Sequence, residues 1–314
     1  MDGEGVMGLF QSMAAEGHEA VAYFANPDVG LRCIIAIHDT TLGPALGGTR
    51  MWPYATEAEA LTDVLRLSKA MTYKAALAGL DLGGGKAVIM GDPARDKTEA
   101  LLRAYGRAVD SFGVRYITAS DVGTTPQDLE IIMQQTRWML GRPRESGGSG
   151  DSAPATAYGV LQAMRACADD VFGDPSLSGR TVVMQGFGKV ASSLARRLKD
   201  EGARLVVAEI VPQARERAAG EFGARIVAPD EIFDVEGHIF APCALGGVLN
   251  DSTIPRLRCP IVAGSANNQL AEQADADRLE AAGILYAPDY AVNAGGIINL
   301  SFELTGYEPE VAMA

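Results

Sequence analysis

The 314-residue chain has no CxxC pair. Its four cysteines, Cys33, Cys167, Cys243 and Cys259, are scattered, which argues against a disulfide framework or zinc site and predicts buried free thiols in a reducing cytoplasm. The three histidines, His18, His38 and His238, are equally isolated; none has a partner at metal-ligand spacing, so all are read as structural and no metal site is expected. No apolar run is long enough to span a bilayer, and the start, Met1-Asp2-Gly3-Glu4, lacks the basic residues and apolar stretch of a secretory signal. Positive charge is in short supply. Lys and Arg number 27 against 40 Asp and Glu, and the net charge of −13 argues against a nucleic-acid surface or an anionic membrane as partner. Internal repeats and low-complexity tracts are absent. What remains, 47% hydrophobic and 21% charged residues, is a globular composition, and the length allows two domains with separate cores.

The pattern along the chain is α/β. Cys33-Ile34-Ile35-Ala36-Ile37-His38 reads as a strand, Thr56-Glu57-Ala58-Glu59 as a capping box, and Leu61, Val64, Leu65, Ser68 and Met71 as one face of the helix it opens. A second helix follows Asp96, and a strand runs through Ala87-Val88-Ile89-Met90 with Lys86 at its start. Glycine, serine and charge collect at 141–150, the expected boundary between a domain at 1–140 and another at 141–314, with a cleft between them for a ligand. Beyond it strands alternate with helices: Thr181-Val182-Val183-Met184-Gln185, Leu205-Val206-Val207-Ala208, His238-Ile239-Phe240-Ala241, Ile261-Val262-Ala263 and Ile284-Leu285-Tyr286. Such alternation predicts a parallel, doubly wound sheet.

Two constellations carry chemistry. Lys86 stands directly behind Gly83-Gly84-Gly85 and ahead of an apolar stretch, where desolvation would let a lysine act as a base near neutral pH. Lys74 lies upstream and Asp121 downstream; the alternative is three surface charges beside a glycine turn. Gly186-Phe187-Gly188-Lys189-Val190-Ala191 fits G-x-G-x-x-A between a strand and a helix, with Ser192 next in the helix and Glu209 ending the following strand. The first glycine permits the turn, the second admits a pyrophosphate, Ala191 allows close helix packing, and Glu209 would hold the ribose hydroxyls, favouring NAD over NADP. Arg215 and Arg217 are read as exposed residues of the next helix.

With these residues in hand, the chain resembles the amino-acid dehydrogenases that act on glutamate, leucine, phenylalanine and valine, nearest to the leucine-specific members. Leu80-x-x-Gly83-Gly84-Gly85-Lys86-x-Val88-x-x-x-Asp92-Pro93 follows that family's active-site pattern. Gly47-Gly48-Thr49-Arg50-Met51, Asp121-Val122-Gly123-Thr124-Thr125, Gly264-Ser265-Ala266-Asn267-Asn268-Gln269 and Asn293-Ala294-Gly295-Gly296 match further segments, and the likeness runs from about Ala22 to Tyr307. The resemblance implies an N-terminal catalytic domain with a mixed sheet and a C-terminal Rossmann-type NAD domain. It implies Lys74, helped by Asn268, on the substrate carboxylate, Lys86 as the base that activates water, Asp121 as proton shuttle, and Thr156 and Asn267 near the nicotinamide half of NAD. Asn267 and Asn268 could instead cap a helix. A homo-oligomer is also implied, and the edge near 33–38 is a candidate for pairing between subunits. Members of the family continue past the position of Ala314, so the chain is expected to lack a helical segment that packs back on the catalytic domain.

Glutamate-specific relatives place a lysine where this chain has Leu46, directly before Gly47, and a serine where it has Leu300. With Ala119 and Ile297 these make an apolar pocket that could not satisfy a γ-carboxylate. The expected reaction is therefore reversible oxidative deamination of leucine, valine and isoleucine to 2-oxo acids and ammonia. Phenylalanine or tryptophan is the alternative substrate class, and a non-catalytic NAD or amino-acid sensor on the same fold the alternative function.

Overall fold

The apolar run at 33–38 sits inside a sheet, hydrogen-bonded on both sides, and not at the free edge the sequence suggested. The computed structural model describes residues 8–308; the segments 1–7 and 309–314, on which the expectations about the chain ends bear, lie outside the described residues. Two compact units result. The first takes the described residues through Asp151 and those from Leu300 onward, the second Ser152–Asn299. The division thus falls at 151/152 and not at 140/141, and the final stretch rejoins the first unit.

The first unit runs α1 (Leu9–Glu16), β1 (Ala20–Asn26), β2 (Leu31–Asp39), β3 (Ala45–Trp52), α2 (Glu57–Leu77), β4 (Gly83–Met90), α3 (Glu99–Asp110), β5 (Tyr116–Ser120) and α4 (Pro126–Met133). Its mixed sheet has the order β1-β2-β4-β3-β5, with β2 antiparallel to β1 and β4, and β3 parallel to β4 and β5. Successive residues of a strand face opposite sides. Ile34, Ala36 and Val88 therefore pack with Ala60 and Val64 of α2, while Ile35, Ile37, Ala87 and Ile89 pack with Leu101 and Tyr105 of α3 and Leu129 of α4. Thr56 caps α2 by accepting from the Glu59 amide at 3.1 Å, but the Glu59 carboxylate reaches back to Ala55 N–H, so the expected box is half formed. The complete box is at α4, from Thr125 and Asp128.

Lys86 lies in the middle of β4, whose every residue is buried, and not at a strand's start. The glycines before it serve packing. A Cβ at Gly84 would overlap the Thr72 backbone nitrogen of α2, and one at Gly85 would press on the Tyr116 ring at 2.9 Å. Helix and strand meet there without side chains between them.

The second unit runs α5 (Ala153–Phe172), β6 (Thr181–Gln185), α6 (Lys189–Asp200), β7 (Arg204–Ala208), α7 (Pro212–Phe222), β8 (Arg225–Val227), β9 (Ile239–Pro242), β10 (Ile261–Val262), α8 (Ala274–Ala281), β11 (Leu285–Tyr286), α9 (Asp289–Val292) and α10 (Gly295–Ser301), which carries the chain back into the first unit. All six strands are parallel, in the order β11-β10-β9-β6-β7-β8. This is the doubly wound arrangement, and its topological switch lies between β6 and β9. Val182 and Met184 of β6 join one core and Val183 the other, which is why that strand reads as a continuous apolar run. Of the four free thiols, Cys33 and Cys259 are buried, whereas Cys167 and Cys243 are only half-buried. No helix among the described residues is long and apolar enough to cross a membrane.

Three buried polar side chains tie the first unit together. Glu303, in the turn Phe302–Leu304, accepts from the amides of Gly141 (3.0 Å) and Ser149 (2.6 Å) and from the Ser149 hydroxyl (2.5 Å), fastening the returning chain to the outgoing one. His38 Nε2 donates to the Glu16 carbonyl (3.0 Å), so its Nδ1 accepts from Thr72 (2.8 Å); His18 Nε2 donates to the Leu65 carbonyl (3.1 Å), leaving its Nδ1 buried without a partner. Burial lowers both imidazole pKa values. The unfolded chain therefore takes up protons near pH ~6.5 that the folded chain refuses, so stability falls as pH drops from there toward the lowered folded values. Thermal unfolding scanned from about pH 7.5 to about pH 5 is expected to show that loss, and glutamine at both positions to flatten it. An unchanged slope in the double variant would contradict the assignment.

Candidate active site

Strand alternation puts Leu46, Gly48 and Arg50 of β3, Lys86 of β4 and Ala119 of β5 on the α2 side of the sheet, with Asp121 just past the end of β5. Lys86 Nζ lies 2.7 Å from Asp121 Oδ2, with 5% of the lysine side chain exposed, which removes the surface-charge alternative. The same oxygen receives Arg50 Nε at 3.1 Å. The other arm of Arg50 donates to Asp63 Oδ2 at 2.9 Å, and the Tyr54 hydroxyl donates to that oxygen at 2.5 Å. Four charges of alternating sign, Lys86, Asp121, Arg50 and Asp63, thus run in one chain.

Burial pushes the Lys86 ammonium below its ordinary pKa and Arg50 adds to this, while Asp121 opposes it. Burial alone would raise the Asp121 carboxyl, but Lys86 and Arg50 outweigh it and hold the group well below the usual carboxylate range. Asp121 is therefore an anion at rest, and the proton that can leave is on Lys86. Gly48 makes room for the pair, since a Cβ there would come 2.5 Å from the Ser120 carbonyl oxygen and 3.1 Å from Asp121 Cβ.

Lys74 is buried near the end of α2. Leu46 and Ala119 are almost fully buried, and the Gly47 carbonyl accepts from the Tyr116 hydroxyl at 2.7 Å. Leu300, at the end of α10, lies against Gly141. The first unit therefore gathers Leu46, Lys86, Ala119 and Asp121 about one sheet face, whereas Gly47 turns to the other. Ile297 is buried and belongs to the second unit, with Thr156, Asn267 and Asn268.

In that second unit the glycine-rich turn leaves β6 beside the topological switch. Gly186 has φ +93° and a Cβ would lie 2.7 Å from Ala244 Cβ, so only glycine fits. Gly188 is the N-cap of α6, and no atom lies within 4 Å of where its Cβ would go. Open space in front of free helix N–H groups suits a pyrophosphate. Lys189, Val190 and Ser192 form the first turn, and Ala191 packs into the core. Phe187 is buried, and its amide donates to Glu209 Oε2 at 2.6 Å, while Glu209 Oε1 accepts from Ile210 (2.7 Å) and Val211 (2.9 Å). Main chain thus fixes the acid at the end of β7. Arg217 is exposed on α7 but reaches back, its guanidinium over the Phe187 ring and 3.4 Å from the Phe187 carbonyl oxygen.

Thr156 donates to the Ser152 carbonyl at 3.0 Å on α5. Neither Asn267 nor Asn268 caps a helix, since α8 starts at Ala274 with Gln273 as its cap. Asn268, at φ +52°, is the one non-glycine in the left-handed region among the described residues. Two buried amides shape this loop. Gln269 Nε2 donates to the carbonyls of Gly264 (2.9 Å) and Ala266 (3.0 Å), and Asn293 Nδ2 donates to the Ser265 carbonyl (3.1 Å) and to Asn267 Oδ1 (2.9 Å). A backbone carbonyl can only accept, so the NH2 of Asn293 must face the loop, and Asn267 must turn its oxygen toward it.

Sequence reasoning assigned no role to Arg50, Asp63, Tyr54 or Asn293. Arg50 shares the face of Gly48 through β3, a signal available only once that glycine-diluted strand is seen in the sheet. Asp63 and Tyr54 carry no such signal.

Comparison with known proteins identifies the family. Residues 18–138 match the model of the Glu/Leu/Phe/Val dehydrogenase dimerisation domain, and residues 147–211 and 211–308 match that of Glutamate/Leucine/Phenylalanine/Valine dehydrogenase. The chain is 54% identical over 307 residues to a leucine dehydrogenase of Geobacillus stearothermophilus, covering 98% of this chain and 84% of that protein. It is 50% identical to a valine dehydrogenase of Streptomyces virginiae, covering 93% and 82%. The crystal structure of the L-tryptophan dehydrogenase of Nostoc punctiforme superposes with a TM-score of 0.77 at 45% identity, covering 97% of this chain and 87% of that one.

Gly48→Ala is expected to drive Asp121 away from Lys86 and to cost about 1–3 kcal/mol of stability by overpacking, measured by urea unfolding. A variant as stable as wild type would show that the close approach is not required.

Proposed function

The chain belongs to the Glu/Leu/Phe/Val dehydrogenase family, and we propose that it catalyses the NAD-dependent, reversible oxidative deamination of leucine, valine and isoleucine to 2-oxo acids and ammonia. The observation that carries this reading is the buried Lys86–Asp121 pair beside Leu46 and Ala119: proton-transfer groups next to an apolar lining. NAD, when bound, supplies the acceptor for the hydride leaving the substrate α-carbon. The turn from Gly186 to Ala191 would hold its pyrophosphate, Glu209 its adenosine ribose, and Thr156 and Asn267 its nicotinamide half.

The remaining steps fall to the chain's own side chains. Lys74 binds the α-carboxylate. Lys86, once neutral, takes a proton from water as that water adds to the substrate imine. Asp121 accepts a proton only when a neighbouring cation has lost its own, so it exchanges protons with the substrate amino group as one member of a coupled pair. Leu46, Leu300 and Ala119 receive the side chain. A γ-carboxylate against them would be desolvated without a partner, which disfavours glutamate by several kcal/mol. One methylene is worth only about 1–3 kcal/mol, so the three branched-chain substrates are accepted together. The reading is completed by a cytoplasmic homo-oligomer acting on small molecules, supported by the dimerisation domain named for the family model over residues 18–138.

A second reading, preference for an aromatic amino acid, is favoured by the likeness to a tryptophan dehydrogenase. Initial rates of NADH formation across L-leucine, L-valine, L-isoleucine, L-phenylalanine, L-tryptophan and L-glutamate separate the two. The branched-chain substrates are expected to be fastest; highest kcat/KM on phenylalanine or tryptophan overturns that choice, and highest on glutamate overturns the pocket argument as well. For the cofactor, Gly188→Val is expected to fold normally, because its side chain enters open space, and to lose NAD binding measured by calorimetry. Unchanged affinity would remove this turn from the cofactor site.

A further inference from the structure

Arg50 is fully committed to the site's electrostatics, although nothing in the proposed reaction uses it. Its Nε is 3.1 Å from the Asp121 oxygen that Lys86 approaches at 2.7 Å, and its other arm is 2.9 Å from Asp63. We propose that Arg50 is a positioning residue that shares Asp121 with Lys86 and thereby sets how readily Lys86 gives up its proton. The proposal rests on the reading of Lys86 as the base.

The physical need is specific. If Lys86 were the sole partner of Asp121, deprotonating it would leave a buried carboxylate without a counter-charge, a strongly unfavourable state. The ammonium would then be locked in place. A guanidinium stays charged at every working pH, so Asp121 keeps a partner when Lys86 is neutral. The planar fork also spans two carboxylates, and Asp63, held by the Tyr54 hydroxyl, fixes its far arm.

The groups facing Lys86 are Asp121 past the end of β5, Arg50 from β3 and Asp63 from α2, while β2 presents Ala36 beside it. Lys74 is also on α2, about three turns beyond Asp63. Arg50 therefore opposes a proton on Lys86, and Asp63 favours one, which gives the two variants opposite signs.

The test reads Lys86 directly, without turnover. In the full chain labelled with 13C-lysine, the Cε resonance lost in Lys86→Arg identifies the residue, and its pH midpoint is then followed in each variant. Arg50→Met is expected to move the midpoint up by on the order of one pH unit, Asp63→Asn to move it down, and Arg50→Lys, which keeps the charge, to leave it near wild type. The acidic limb of kcat/KM for L-leucine should move in the same directions. Should Arg50→Met fail to fold, Asp63→Asn and Arg50→Lys carry the test. A midpoint that stays put in folded Arg50→Met or Asp63→Asn, or that moves the same way in both, overturns the proposal. Because the titration needs no activity, a wild-type chain that titrates as expected but produces no NADH from any amino acid would overturn the functional reading alone.

Discussion

A lysine in the middle of a fully buried strand is tolerable only if a charge of opposite sign comes with it, and in this chain that charge is Asp121, 2.7 Å away. An unpaired ammonium or carboxylate at that depth would cost about 3–5 kcal/mol, enough to compromise a domain of ordinary stability. Much of the first unit is arranged around that pair. Strand β4 runs between β2 and β3 and places the lysine on the α2 side, and β3 brings Gly48 past the aspartate, where a side chain would not fit. The glycines that precede Lys86 belong to the same arrangement, since they let α2 and Tyr116 close on the strand and shut water out.

The second unit meets a different constraint. Its sheet is covered on both faces, so its strands are short apolar runs and its polar chemistry is confined to the loops at their C-terminal ends. There the main chain and buried amides do the positioning. Glu209 is fixed by three backbone N–H groups, and the loop bearing Asn267 and Asn268 is shaped by Gln269 and Asn293. The candidate cofactor loops thus depend on backbone hydrogen bonds, and the candidate proton-transfer pair on a buried chain of charges.

This contrast explains what could be read from the sequence. The strands of the second unit were legible because burial on both faces writes a continuous apolar run, and the glycine-rich turn was legible because its neighbours on either side are a strand and a helix. Only the short strand β8 escaped, three residues with arginine at its start. In the first unit β3 and β5 were not legible. Their sequences, Ala-Leu-Gly-Gly-Thr-Arg-Met-Trp and Tyr-Ile-Thr-Ala-Ser, are diluted by glycine, serine and threonine; the glycines are there for close approach, and Thr49 and Thr118 bond to each other and to Tyr105 in the core. With those strands unseen, the shared face of Leu46, Arg50, Lys86 and Ala119 was also unseen. Lys86 and Asp121 came from motif and resemblance, whereas their connection through Arg50 to Asp63 needed the register. The glycine run before Lys86 lets α2 approach the strand, a role that shows only in the packing.

The proposed chemistry requires Lys86 and Asp121 to act as one coupled unit. A double-mutant cycle on kcat for L-leucine, with Lys86→Met, Asp121→Asn and the combination, measures that coupling directly. If the two work on one proton path, the double variant should be no slower than the worse single variant, because the second loss removes nothing further. Losses that multiply, as for two independent residues, would contradict it.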